Sequence, residues 1–227
     1  MIIDPIGVPR AARNALINGL VSPRPIAWVS TLAADGTRNL APFSFFGAFS
    51  FDPPTIGIGP GSRQGVNKDS LHNIKATGEF VINLVDRRLA EAANACSGEF
   101  GPEVDEWEVA GVTAAPSEVV APEYVAEAPA ALECRVRQVL ELGEAERASN
   151  NLVVAWIVRI HVRDDAIDGH VPRPEALDLV ARMGGDTWCT TRERFTLARP
   201  SSTNPVEVAA ELRRYQEVSL TRSAAGA

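Results

Sequence analysis

The chain has 227 residues, 45% of them hydrophobic, and a formal charge of -7. That is enough apolar material for one barrel core, and the reading is a single domain over residues 1–227. Without a Lys/Arg cluster to neutralise phosphates, nonspecific nucleic-acid binding is excluded. Asp4, Pro5 and Pro9 near the start, and no apolar run approaching the roughly 20 residues of a membrane span, predict a cytoplasmic protein with no export signal and no membrane partner.

The segment Ser22 to Phe46 opens the predicted elements. Pro23 and Pro25 fix φ and lack a donor, so the chain enters a sheet at an edge or a strand start. Ile26 to Leu32 is an apolar strand, Ala33-Ala34-Asp35-Gly36 a turn favouring positive φ at Asp-Gly, and Thr37 to Phe46 the returning partner. Thr55 to Gly59 and Glu79 to Val85 read as short strands. Asp86 to Cys96 has helix-forming composition after an Asp86 cap. Gly98 to Pro129, rich in Gly, Pro and acids, reads as an excursion over the barrel anchored by Trp107 and Tyr124.

Ala131 to Leu142 alternates Leu132, Cys134 and Val136 with Glu133, Arg135 and Arg137, the pattern of a half-buried antiparallel strand. Asn151 to Val162 is its apolar neighbour, joined by a loop over Glu144 to Asn150. Pro174 to Arg182 reads as a short helix stopped by Gly184-Gly185, and Asn204 to Val218 as a terminal amphipathic helix with a disordered tail over 219–227.

Cys96, Cys134 and Cys189 are odd in number and lack paired metal spacing, so each reads as a small buried or neutral side chain and not a redox centre. His72, His161 and His170 share no ligand spacing, and no metal site is expected. Neither G-x-G-x-x-G after a strand nor G-x-x-x-x-G-K-[ST] occurs, so a nucleotide must be held without a Rossmann or P-loop cradle.

PRPIAWVST, a turn, NLAPFSFF and Asp52-Pro53-Pro54 resemble the flavin reductase-like, FMN-binding split-barrel family, in its flavoredoxin-like branch. Gly61-Ser62-Arg63, Lys68-Asp69-Ser70, Asn73-Ile74 and Gly78 to Asn83 resemble that family's phosphate-side segment in order and spacing. Ala181-Arg182-Met183-Gly184-Gly185 followed by Trp188 resembles a late segment that more often has Leu and Tyr at Met183 and Trp188. The resemblance implies a mainly β fold with peripheral helices, an FMN-binding split β-barrel, and a homodimer. It also implies an NAD(P)H:flavin oxidoreductase in which reduced nicotinamide delivers hydride to flavin, with free flavin or a protein as electron acceptor.

FMN presents a dianionic phosphate, a polar chain and a flat ring that is apolar at one edge and polar at the other. Arg63 offers a bidentate fork and Lys68 a second charge, with hydroxyls of Ser62 and Ser70 beside them; from spacing alone both cations are also ordinary surface charges. For the ring, the resemblance implies backbone groups of Val29, Ser30 and Thr31 and of Ser44, Phe45 and Phe46. Trp28 and Phe43 either pack on the ring or fill the barrel, and Asn39 either bonds the cofactor or caps the turn. Arg182 is a candidate donor near flavin N1 or O2, or a capping arginine. No catalytic acid or base is read. An FMN electron carrier without nicotinamide activity and a non-catalytic split-barrel module stand as alternatives. For the dimer, Asn151 to Val162 with Trp156, and the excursion around Trp107, are the interface candidates, with barrel core as the other reading of Trp156.

Overall fold

Ala27–Leu32 (β2) is buried on both faces as far as Thr31, with only the hydroxyls of Ser30 and Thr31 interrupting its apolar side chains. In this computed structural model, which describes residues 1–63, 66–98, 100–101, 103–143 and 150–224 (backbone alone for 62–63, 66–67 and 215–224), β2 is an interior strand. Ahead of it stand a helix over Arg10–Leu20 (α1) and a two-residue strand, Arg24–Pro25 (β1). Ala27 and Val29 point into the main core, while Trp28, fully buried, points the other way into a second core.

Arg38–Phe43 (β3) returns beside β2 as expected, but the returning strand is broken. At Ser44 and Phe45 the chain turns, and Phe46–Phe51 (β4) pairs instead with Pro54–Ile58 (β5). Ser62–Arg63 (β6) and Val66–Asn67 (β7) make a small ribbon, Asp69–Thr77 (α2) follows, and Glu79–Leu84 (β8) pairs with the far side of β2. Gly78 closes α2 with φ 72°, a left-handed conformation that glycine adopts without a Cβ penalty.

Asp86 does not open a long helix. Its carboxylate accepts from the backbone N–H of Arg88 and Leu89, shaping a turn, and the helix is confined to Ala90–Ala95 (α3). The excursion carries Glu106–Ala110 (α4), Ala114–Ala115 (β9) and Tyr124–Val125 (β10). Trp107 is buried among Trp28, Leu40 and Cys96, so it anchors the excursion as expected but presents no surface to a partner.

Ala130–Glu141 (β11) and Asn151–Val162 (β12) form the longest ladder. Register shifts between Glu133 and Cys134 and between Val136 and Gln138 bend it, which lets one pair of strands serve the curved wall. The connecting loop falls largely on 144–149, outside the described residues. Asp164–Ala166 is a short 3-10 turn, followed by Ile167–Asp168 (β13) and Val171–Pro172 (β14). The expected helix from Pro174 to Arg182 ends early: Pro174–Leu177 (α5) stops at Asp178, whose φ is 41°, and Val180–Arg182 (β15) is a strand that joins β1 and Trp188–Thr190 (β16).

The main sheet runs β3-β2-β8-β11-β12-β5-β4. Its two edge strands are consecutive in sequence, so the bend at Ser44 and Phe45 spans the open seam of a split β-barrel. Leu71 and Ile74 of α2 plug the interior with Phe80, Ile82 and Val153. Met1–Arg192 and Glu193–Ala227 form two compact units. In the second, Pro205–Ala224 (α6) opens on Asn204, whose side chain accepts from Val206 N–H, and it continues past the Val218 end that composition suggests; 225–227 lie outside the described residues.

Candidate functional site

The seam of the barrel brings a cation to an aromatic face. Lys68, exposed just before α2, places its ammonium 5.3 Å from the Phe43 ring centroid. Next to Phe43 the backbone of Ser44 and Phe45 has left the β3 ladder, whose last register pair is Phe43 with Ala27, and has not yet entered that of β4, which begins at Phe46. The Phe45 carbonyl accepts from Gly59 N–H at 2.7 Å, and Phe45 stands half exposed. Lys68, Phe43, Ser44, Phe45 and Phe46 are therefore grouped. The side chains of Ser62 and Arg63, on the ribbon preceding Lys68, lie outside the described residues.

Val29, Ser30, Thr31, Asn39 and Ser70 sit deeper and hold the scaffold. Val29 pairs with Ala41 and Ile82, and Ser30 with Leu40 and Val81, so their backbone lies between two ladders. The β8 ladder ends at Ser30, leaving Thr31 paired only with Asn39. The Ser30 hydroxyl donates to the Glu123 carbonyl at 2.6 Å, and the Thr31 hydroxyl accepts from Asn73 Nδ2 at 3.1 Å. Asn39 Nδ2 donates to Ser70 Oγ at 2.8 Å; both are buried. Of Trp28 and Phe43, Phe43 fills the barrel and also forms the surface below Lys68, while Trp28 is buried in the second core on the other face of β2.

Two cavities flank this region and have opposite electrostatics. One, about 310 Å³, is lined by Asp35, Asn39, Asp69, His72 and Glu106. Burial, with Asp69 and Asp105 nearby, pushes the Glu106 carboxyl up, and Arg38 at the rim is already ion-paired with Asp105 and Glu123. Such a lining repels a dianion. The other cavity, about 370 Å³, is lined by Arg24, Phe43, Ser44, Arg182 and Trp188 among others. Arg24 is 6% exposed; it donates to Ser44 Oγ at 3.3 Å and to the carbonyls of Asn18, Val21 and Met183. Burial and then the charge of Arg182 hold the Arg24 guanidinium below its ordinary range.

The flavin reductase like domain matches residues 20–178. The chain belongs to that family. A protein of Deinococcus radiodurans described as uncharacterized is 39% identical over 205 residues, covering 86% of this chain and 88% of that one. Nitrilotriacetate monooxygenase component B from Bacillus cereus superposes with a TM-score of 0.82 at 28% identity, over 87% of this chain and 99% of that one. The 2-nitrobenzoate 2-nitroreductase NbaA of Pseudomonas fluorescens gives a TM-score of 0.78 at 31% identity, over 90% and 100%.

In this flavin reductase-like chain the sequence reading missed Arg24 as a cavity residue. Its signal was visible only as part of the PRP motif, and its partners Ser44 and Met183 lie 20 and 159 positions away. It also missed α1, which has no buried residue and carries Asn18 to the cavity wall. Among the described residues no group of three His, Cys, Asp or Glu could hold a metal, and no helix is long and apolar enough to cross a membrane.

Proposed function

We propose that this protein is an FMN-binding oxidoreductase that works as an NAD(P)H-dependent flavin reductase. The carrying observation is the Lys68 ammonium 5.3 Å above Phe43, beside backbone at Ser44 and Phe45 that no ladder engages. FMN needs a cation for its phosphate, an apolar surface for its ring and backbone groups outside the ladders for the polar ring edge; Lys68, Phe43 and the Ser44 backbone fit those needs, while the Phe45 carbonyl is taken by Gly59 N–H. When bound, FMN supplies a two-electron carrier able to take hydride from a reduced nicotinamide.

In this reading Lys68, with Arg63 and Ser62, holds the phosphate, and Ser44, Phe45 and Phe46 position the ring. Asn39, Ser70, Val29, Ser30 and Thr31 brace that surface from below, keeping α2 and β3 in place. The residues orient the ligand; no side chain is assigned a proton transfer. The reading includes a homodimer in the cytoplasm, where reduced nicotinamides circulate and unpaired cysteines persist, with free flavin or a protein as electron acceptor. Both neighbours at 28% and 31% identity are redox proteins or components of them by name, which supports an oxidoreductase.

The visible spectrum of the purified protein, followed anaerobically on adding NADH and then NADPH, tests this. A yellow protein that bleaches is expected. A yellow protein that stays yellow means an electron carrier reduced by a protein, and a protein that is colourless as purified and retains no FMN after gel filtration from an FMN mixture means a non-catalytic module.

A further inference from the structure

Arg24 and Arg182 are direct register partners across the β1–β15 ladder. Like charges directly opposite each other in an antiparallel pair destabilise the sheet, and a buried cation normally has a carboxylate partner. Here, among the described residues, neither arginine has one. All four acceptors of Arg24 among these residues are neutral, and Arg182 donates only to the Gly185 carbonyl, at 2.7 Å. Arg24 is thus bound into the scaffold and contributes charge. Arg182 keeps most of its five donors and contributes a fork.

What surrounds the pair indicates the rest of the ligand. Arg182 is also the register partner of Trp188 on its other side, with the guanidinium 5.2 Å from the indole centroid. Trp188 and Phe43 give the 370 Å³ cavity aromatic walls, and Ser44 and Asn94 add neutral polar groups. The volume lies near the lower end of small-molecule pockets, about 300 to 1,000 Å³, and suits one ring and its substituent better than a dinucleotide. One available fork beside one buried charge matches a carboxylate, which pairs with arginine bidentately.

We propose that this cavity is a binding site for a small aromatic carboxylate, with the acid group on Arg182 under the field of Arg24 and the ring against Trp188. It is a second ligand site that shares the wall of Phe43 and Ser44 with the Lys68 surface, and its argument does not use the flavin.

Calorimetry on the full chain as purified tests it with benzoate, benzamide and inorganic phosphate as probes. Benzoate is expected to bind saturably, and benzamide, the same ring without charge, about tenfold or more weaker. Inorganic phosphate, charge without a ring, should also bind more weakly than benzoate. Arg182→Gln should weaken benzoate about tenfold or more while leaving benzamide unchanged. Absence of benzoate binding, equal affinities for benzoate and benzamide, or unchanged benzoate binding in Arg182→Gln overturns the proposal. Should that variant not fold, the benzoate-to-benzamide comparison in the natural chain decides alone. A flavin ring on the shared wall of Phe43 and Ser44 lowers benzoate affinity alike with FMN and with riboflavin; if FMN abolishes benzoate binding while riboflavin does not, the arginines serve the cofactor's phosphate and the proposal fails. Loss of the flavin reading would appear instead as absent FMN binding with benzoate binding retained.

Discussion

Glu133 Oε1 lies 2.6 Å from His161 Nε2, and the carboxylate is completely buried in the bend of the β11–β12 ladder. It also accepts from the backbone N–H groups of Glu118, Val119 and Val120 at 2.8, 2.8 and 3.1 Å. A single side chain on the barrel wall therefore holds the middle of the excursion. His161 carries Tyr124 stacked on it, with ring centroids 4.4 Å apart, which ties a second point of the excursion to the same anchor.

Burial opposes ionisation of Glu133, yet the N–H donors of Glu118 and Val119 and the His161 contact outweigh it and hold the carboxyl below its ordinary range. A depressed folded pKa means that the stabilisation is present above the unfolded value, about 4.3, and is lost as pH falls through the folded value. Urea melts at pH 7 should show Glu133→Gln less stable by about 1.5–3 kcal/mol, the range for hydrogen bonds to a charged group. Melts repeated down to pH 3 should show the difference between the two proteins shrinking below about pH 4.3. A difference that stays constant to pH 3 would refute the assignment.

Arg63→Ala is expected to weaken FMN binding by about 1.5–3 kcal/mol, the range for charge-assisted hydrogen bonds, and Lys68→Ala by less, since an ammonium acts as a point charge. Fluorescence titration of the flavin-free protein with FMN measures both. An unchanged dissociation constant in Arg63→Ala removes that residue from the phosphate site.

Gly59 and Gly57 share β5's end of the sheet but should respond differently to alanine. A Cβ on Gly59 would lie 2.9 Å from the Cβ of Phe45, an atom fixed to the bend backbone. Gly59→Ala must push that bend aside, at a cost of about 1–3 kcal/mol. A Cβ on Gly57 would meet Phe49 Cε2 at 2.7 Å, the far end of a ring that is 70% exposed and can rotate away. Thermal melts should place Gly57→Ala within about 1 kcal/mol of the natural chain; equal losses in both would show that space at the bend is not the limiting factor.

Association should involve β4, an edge strand of the main sheet that leaves Phe51 at 96% exposure beside Phe49. Trp156 on β12 is also outward-facing, with Arg137 5.0 Å above its ring, so it remains an interface candidate together with the excursion around the buried Trp107. Sedimentation should show a dimer of the 24.3 kDa chain. Phe51→Asp should weaken the dimer while changing subunit stability by no more than about 0.5 kcal/mol, as at an exposed position. A monomer that keeps stoichiometric FMN on dilution would rule out a dimer that completes the cofactor pocket.

Thiol chemistry should separate the three cysteines. Burial pushes the Cys96 thiol up to about 11 and raises that of Cys134 as well, whereas Cys189 is partly exposed. A disulfide reagent at pH 8 should titrate one thiol quickly and the other two only on unfolding. Two fast thiols would show that one of the buried pair opens to solvent.

Local pattern alone determined much of this protein. The apolar run before Ala33, the alternation from Ala131 and the run from Asn151 identify strands because side-chain period is set residue by residue along the backbone. The ordered motifs from Pro23 to Asn83 identify the family, and the match over residues 20–178 agrees. Tertiary structure decided what those residues face. The break at Ser44 exists because the chain must cross from one edge of the sheet to the other, a closure condition that no local window contains. Asn39 and Ser70 bond each other 31 positions apart, and Arg24 meets Arg182 158 positions on, through pairings that depend on the finished barrel. Like charge across a strand pair leaves no mark in either segment; only the fold, by setting them opposite each other without a carboxylate, turns two scattered arginines into a site.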